Sequence, residues 1–303
     1  MRPTFPFPSR KPMNITFTAG LLMLIMFGFV PAIGVLVISF TDIRGIPGIP
    51  VHWVWLKNYA SFFSLAHRRE NLNAISNTAE FAIASTLIQI TLALAIAILL
   101  NQRLRGRNFY RSVVFMPTVL GVTVIGLIWS LILNPTGGPA ASILALFGQK
   151  SAFFGDPTLA LKLVILVQVW AILGVSVVIF LAGLQAVPTD LYEVAKIDGA
   201  SSWQQFRWVT FPLLAPSMTA NVLLGIVNAM QSYQLAYVLT GPNNRATQLL
   251  SLLVYVQGFG GVSYAKAAQS QGYAAAISIV QFVLVGIITL TVLAYLRRRE
   301  ARL

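Results

Sequence analysis

The sequence predicts an all-α integral membrane protein with six membrane-crossing helices, and three observations carry that reading. Of the 303 residues, 57% are hydrophobic and only 10% are charged, where a soluble domain holds about 25% charged residues. Mean hydropathy is +0.77. The 21 Lys and Arg residues, which outnumber eight acidic ones for a net charge of +13, stay out of the long apolar runs and cluster at their ends. That distribution belongs to a membrane protein and not to a nucleic-acid binder. Cysteine is absent, which excludes disulfides and thiolate chemistry, and the two histidines, His52 and His67, have no metal spacing, so a zinc site is not expected.

Six segments are long and apolar enough to cross about 30 Å of hydrocarbon as helices. They lie at roughly 17–40, 78–100, 113–133, 160–186, 214–239 and 274–296. Gly and Pro interrupt them, which membrane helices tolerate where neighbours satisfy the backbone. The first run is longer than the 7–15 residues of a signal-peptide core, so it reads as an uncleaved span. Before it, residues 1–16 form a Pro-rich basic tail, RPTFPFPSRKP, suited to disorder or to an anionic lipid surface. After it, the loop 41–77 carries Trp53, Trp55, Tyr59, Phe62 and Phe63. That aromatic density predicts an interfacial helix at the headgroups, with a docking face for an external partner as the second reading. Residues 101–112 form a short basic turn, 134–139 a Pro- and Gly-rich turn, and Asp156-Pro157 opens the fourth span.

Orientation follows from the basic residues. With the N-terminus inside, the inner segments hold Arg2, Arg10, Lys11, Arg103, Arg105, Arg107, Arg111, Lys196, Arg207, Arg297, Arg298, Arg299 and Arg302. The outer segments hold Arg44, Lys57, Arg68, Arg69, Lys150, Lys162, Arg245 and Lys266. Thirteen against eight satisfies the positive-inside rule and predicts both termini in the cytoplasm.

That orientation places residues 188–216, PTDLYEVAKIDGASSWQQFRWVTFPLLAP, in the cytoplasm between the fourth and fifth spans. It is the one polar interruption that reads as folded. Asp190 with Glu193 has capping-box spacing, and Leu191, Val194, Ala195 and Ile197 give a short helix one apolar face. Asp198-Gly199 stops it, since Gly accepts the left-handed conformation at a helix end. Ser202 with Gln205 repeats the box, Trp203 and Phe206 sit three apart on the next helix, and Pro212 and Pro216 bracket re-entry into the membrane. The result is a compact surface knob; a loop packed only on its own protein is the plainer reading.

The run Glu193-Val194-Ala195, Asp198-Gly199-Ala200, Phe206 and Phe211-Pro212 resembles the EAA motif of binding-protein-dependent ABC importer membrane subunits. Ile197-Asp198-Gly199-Ala200-Ser201 with a following Trp is similar to the carbohydrate branch, the maltose and glycerol-3-phosphate type. Val194 stands where that motif has Ala, and Phe211 where Leu is usual. The resemblance implies a type I ABC importer transmembrane domain, with a peripheral first span (17–76 with its loop) and a five-helix core over 77–303. It implies that a coupling helix built on Glu193, Ala195, Asp198, Gly199, Ala200 and Pro212 docks on a cytoplasmic ATPase dimer. It further implies a second permease chain, usually a different one, an external solute-binding protein, residence in a bacterial inner membrane, and a sugar or sugar-like solute. ATP and Mg would be bound by the partner ATPase, and no cofactor by this chain.

The chain's own residues agree with that division of labour. No G-x-x-x-x-G-K-[ST] is present to cradle ATP phosphates, nor G-x-S-x-G or H-E-x-x-H. Of the eight acids only Glu80 falls in a predicted span, which argues against an ion-coupled carrier. A self-sufficient secondary transporter or channel is the alternative, and it predicts buried ionisable groups or an internal repeat. In the fifth span Asn221, Asn228 and Ser232 form one stripe at 100° per residue, with Gln231 on its edge. Polar groups in lipid face protein or a cavity. Interhelical glue and cavity lining both fit; amides donate and accept, which suits sugar hydroxyls. The candidate solute contacts are Asn228 and Gln231, then Ser232 and Gln168. Gln89 reads as glue, and Tyr233 and Tyr237, off the stripe, as packing residues.

Overall fold

The computed structural model describes residues 10–45, 48–102, 105–260 and 270–300. The tail up to residue 9, and the orientation residues Arg2, Arg103, Lys266 and Arg302, lie outside the described residues. Among those described the chain is helical, apart from a single antiparallel bridge between Thr41 and Trp53.

The first span is α1 (Arg10–Leu24) and α2 (Val30–Ile38), joined through a π-helical turn at Ile25–Phe29. Its apolar window Phe17–Ile38 is not buried against the rest of the chain. The aromatic loop 41–77 yields the seven-residue α3 (Lys57–Phe63), with Phe62 buried on the core, and the first turns of the next helix, while Trp53 and Trp55 are exposed outside any helix. Asn71 explains the docking: its amide donates to the Phe62 carbonyl at 2.7 Å and to the Tyr273 hydroxyl at 3.1 Å.

The second predicted span begins thirteen residues too late. α4 runs Leu65–Asn101, 37 residues, or about 55 Å, so its first turns project beyond the hydrocarbon. The third predicted span is not one helix. α5 (Arg107–Val119) and α6 (Val122–Ile132) meet at 102°. Pro117 removes a backbone donor inside α5, and Gly121 is extended at φ −65°, ψ 146°. A short α7 (Pro139–Leu146) precedes the unbroken fourth span, α8 (Ala160–Ala186). The predicted opening at Asp156-Pro157 is a turn in which the Asp156 carboxylate accepts from the backbone and hydroxyl of Thr158, both at 2.8 Å.

The knob comprises α9 (Thr189–Ile197), α10 (Ser202–Gln205), a π-helical turn at Phe206–Thr210 and α11 (Phe211–Leu213). The chain bends 65° into α12 (Ala215–Gln231). The fifth predicted span also breaks, at Ser232-Tyr233, and continues as α13 (Gln234–Thr240). An unpredicted ten-residue apolar helix, α14 (Leu250–Phe259), comes next, and α15 (Gln271–Glu300) is the last span. Among the described residues four continuous helical segments are thus long and apolar enough to cross a membrane, and two bent pairs bring the number to as many as six.

The core is built from α4, α8 and α12. Phe81, Val164, Val167, Ala229 and Leu252 belong to its central cluster. A second cluster, at the α8 C-terminal end, gathers Ala93, Ala97, Leu100, Phe180, Leu184 and Leu214. Small residues bring the backbones together, as expected of helices without a water-driven force between them. At Gly174 on α8, a Cβ would stand 2.9 Å from the Phe115 Cα on α5.

Candidate functional site

Two places collect the residues singled out in the sequence: the knob and a polar cavity, separated along α8 and α12.

The knob starts at Pro188, whose φ of −60° is preset for a helix start, with no side-chain cap. Asp190 is therefore not the N-cap that its spacing with Glu193 predicts; it lies inside the first turn, where its charge still favours the helix dipole. The stop is as expected. Gly199 has φ +76°, its N–H donates to Lys196 O at 3.0 Å and the Ala200 N–H to Ala195 O at 2.9 Å. This is a Schellman closure, and it fixes Ala195, Asp198, Gly199 and Ala200 together. The second capping box exists one residue earlier than predicted. The Ser201 N–H donates to Gln204 Oε1 at 2.7 Å and the Gln204 N–H to Ser201 Oγ at 3.4 Å. Gln205 instead donates to the Ala200 carbonyl at 2.9 Å, which ties α10 to the α9 stop.

Aromatic rings stiffen the return. Trp203 and Phe206 lie 5.5 Å apart, and Phe206 meets Phe211 edge-on at 6.1 Å. Pro212 sits in α11, and Leu214, fully buried, plugs into the α4–α8 cluster. Tyr192, which the sequence did not single out, anchors the back of α9: its hydroxyl is 2.9 Å from Thr210 Oγ1. The front of α9 has no cover. Leu191, Val194 and Ile197 are 42%, 55% and 85% exposed, and no residue of the helix is buried. Glu193 is exposed beside them. The apolar face read from the sequence exists, and among the described residues it is left largely uncovered, most of all at Ile197.

The cavity, about 590 Å³, is bounded by α4, α8, α12, the α5–α6 bend and the α12–α13 break. Gln89, Gln168, Asn221, Asn228, Gln231 and Ser232 all line it, so the stripe turns inward on one space. Their states differ. Asn228 and Gln231 are exposed to the cavity. Ser232 Oγ donates to Gln168 Oε1 at 3.2 Å, so that pair is structurally engaged. Gln89 is glue, donating to Ser176 Oγ at 2.6 Å. Asn221 is 1% exposed; its Nδ2 donates to the Ser217 carbonyl at 3.1 Å and its Oδ1 has no partner.

The break between α12 and α13 frees backbone carbonyls, and the last helices satisfy them. Gln281 Nε2 donates to Met230 O at 2.8 Å and Ser251 Oγ to Ser232 O at 2.6 Å. Neither residue carries a sequence signal, because the polar run Gln231-Ser232-Tyr233-Gln234 at the break reads equally as one stripe of a continuous helix. Tyr233, read as packing, both packs and lines: it stacks on Tyr255 at 5.0 Å and borders the cavity. Tyr237 packs edge-on to the same ring at 5.3 Å. No Asp, Glu, His, Lys or Arg is among the described residues that line the cavity.

Long apolar helices, a span bent by 102° between α5 and α6, a break between α12 and α13 and a cavity at both define a multi-pass membrane protein with the fold of an ABC importer permease. A chain in the crystal structure of a bacterial alginate ABC transporter, in complex with alginate pentasaccharide-bound periplasmic protein, has this fold. It superposes with a TM-score of 0.78 at 18% identity, covering 96% of this chain and 94% of that one. The chain belongs to the binding-protein-dependent transport system inner membrane component family, whose model matches residues 72–302. Among its relatives, the trehalose/maltose transport system permease protein of Thermococcus litoralis is 33% identical, over 88% of this chain and 86% of the relative. The arabinooligosaccharides transport system permease protein of Bacillus subtilis is 31% identical, over 94% of this chain and 88% of that protein.

Proposed function

We propose that this chain is the translocation-path subunit of an ATP-driven importer for a sugar or sugar-like solute, residing in a bacterial inner membrane with both termini cytoplasmic. A separate ATPase dimer binds ATP and Mg, a second permease chain completes the path, and an external binding protein delivers solute. Residues 1–16 are the inner tail, 17–76 the peripheral span with its loop, and 77–303 the core. The observation that carries this reading is the uncovered apolar face of α9. A helix closed at one end by a Schellman motif and anchored behind by Tyr192 is held in place, yet among the described residues its Leu191-Val194-Ile197 face is left largely uncovered. Such a face suits the groove of another protein. Motion of the docked knob reaches the core through α11 and the buried plug Leu214, and so shifts α12, which carries Asn228 and Gln231. Pocket chemistry and relatives support the solute class: exposed amides match hydroxyls, and the trehalose/maltose and arabinooligosaccharides permeases are among the relatives. The uncharged lining speaks against an ion-coupled carrier.

Ile197→Glu is the direct test, because it changes the face without touching the stop. The variant is expected to reach the membrane and keep its thermal stability, while ATPase no longer co-purifies. Full ATPase retention together with normal coupled ATP turnover would refute docking through α9.

A further inference from the structure

A groove between α5 and α8 lies apart from the solute cavity, at the end of the membrane where the 101–112 turn sits. Its volume is about 450 Å³. One end is polar, with Arg111, Ser112 and Gln185; the rest is apolar, with Phe115, Val178, Leu181 and Ala182 among its lining. From Gln185 to Gly174 the α8 wall spans eleven residues, or about 16 Å, the scale of an acyl chain's reach into one leaflet. Val178 and Phe115 are exposed along it.

The polar end is unbalanced. Arg111 buries its Nε and Nη2 without a hydrogen-bond partner, and Arg107, one turn earlier on α5, buries an unpartnered Nε. Among the described residues no carboxylate lies within ion-pair distance of either; the one ion pair is Asp42 with His52. A guanidinium with buried, unpaired donors is costly unless an acceptor arrives. Phosphate matches it, since the planar fork binds two oxygens at once.

We propose that this groove holds an anionic phospholipid of the inner leaflet, its phosphate on Arg111 with Arg107 adjacent, and one acyl chain laid along α8 as far as Gly174. A basic pocket between helices at the cytoplasmic face is the setting in which anionic headgroups bind. Charge alone selects a phosphate; the apolar length selects a lipid over a free phosphate. The assignment to the inner leaflet rests on the topology proposed above, whereas binding itself does not, so the two fail separately.

The test is native mass spectrometry of the full chain purified in neutral detergent, with phosphatidylglycerol and phosphatidylcholine of matched chains. Phosphatidylglycerol is expected to be retained at least about tenfold more strongly, the scale of hydrogen bonds to a charged group. Arg111→Gln should abolish the preference and Arg111→Lys restore part of it. Ala182→Phe, which keeps both arginines and narrows the apolar part of the groove next to its polar end, should also expel the lipid, and it serves if Arg111→Gln does not fold. Millimolar inorganic phosphate should not displace the lipid. Equal retention of the two lipids, an unchanged preference in Ala182→Phe, or displacement by inorganic phosphate would each overturn the proposal.

Discussion

Gly199 and Asn228 show how differently two residues of one chain are constrained. Gly199 stands at φ +76° with open space where a Cβ would go, so the penalty of substitution is backbone strain and not collision. A side chain in that region costs about 1–2 kcal/mol, and the cheapest relief is to re-aim α9. Gly199→Asp is therefore expected to leave the spans intact and to reduce ATPase retention and substrate-driven ATP hydrolysis, with Glu193→Ala milder, since its helix-dipole contribution is only about 0.3–1 kcal/mol. Normal retention and turnover in purified, reconstituted Gly199→Asp would leave the stretch an ordinary loop. Asn228 and Gln231 instead are exposed and line the cavity. Asn228→Ala or Gln231→Ala should keep assembly and unfolding temperature while lowering transport by roughly 3- to 10-fold, one net hydrogen bond of about 0.5–1.5 kcal/mol. Asn221 is the contrast: buried and bonded to the Ser217 carbonyl, it belongs to stability as well as to the cavity wall. Uptake of labelled solute by proteoliposomes separates the cases, and unaltered uptake in both alanine variants would remove them from the path.

At the scale of elements, the breaks matter more than the helices. The α12–α13 break is tolerable in a membrane only because Gln281 and Ser251 take up the carbonyls it frees. Gln281→Leu, close in size but without the amide donor, strands Met230 O and should cost about 1–3 kcal/mol. It should also lower the unfolding temperature in detergent more than Asn228→Ala does; equal melting of the two would mean the break is not held this way. Here the sequence was only partly legible. Hydropathy located every long span, and 100° spacing placed Asn221, Asn228 and Ser232 on one wall, because both signals are local. The 102° turn at Leu120-Gly121 was hidden because hydropathy runs through it without a dip, whereas the break at Ser232-Tyr233 falls in the polar run Gln231-Ser232-Tyr233-Gln234, which reads equally as the cavity-facing stripe of a continuous helix. The second capping box was misplaced by one residue since Ser201 and Ser202 are chemically equal as caps, and only the chain's path from Gly199 decides between them. α14, at ten residues, is too short to read as a span and too apolar to read as a loop.

For the whole molecule, the distribution of cations and the uncovered surfaces point the same way. Arg105, Arg107 and Arg111 lie at one end of α5, Lys196 and Arg207 on the knob, and Arg297, Arg298 and Arg299 at the last turn of α15. Thr219 at the start of α12 bonds Glu300 at that same last turn, so the knob's exit and the C-terminal end of α15 share one membrane face. The knob's bare apolar helix is thereby set among basic residues, on the side that the positive-inside rule assigns to the cytoplasm. Lys150, after α7, and Lys57, on α3, belong to the opposite face. Because the chain has no cysteine, single cysteines report this without background. In sealed, right-side-out cells, Lys150→Cys should react with an impermeant maleimide, and Lys196→Cys should react only after the membrane is opened. Both positions are exposed, so lack of labelling cannot come from burial within the chain. Labelling of Lys196→Cys in sealed cells would invert the topology, place the knob out of reach of any cytoplasmic ATPase, and move the Arg111 groove to the outer leaflet while leaving its lipid chemistry intact.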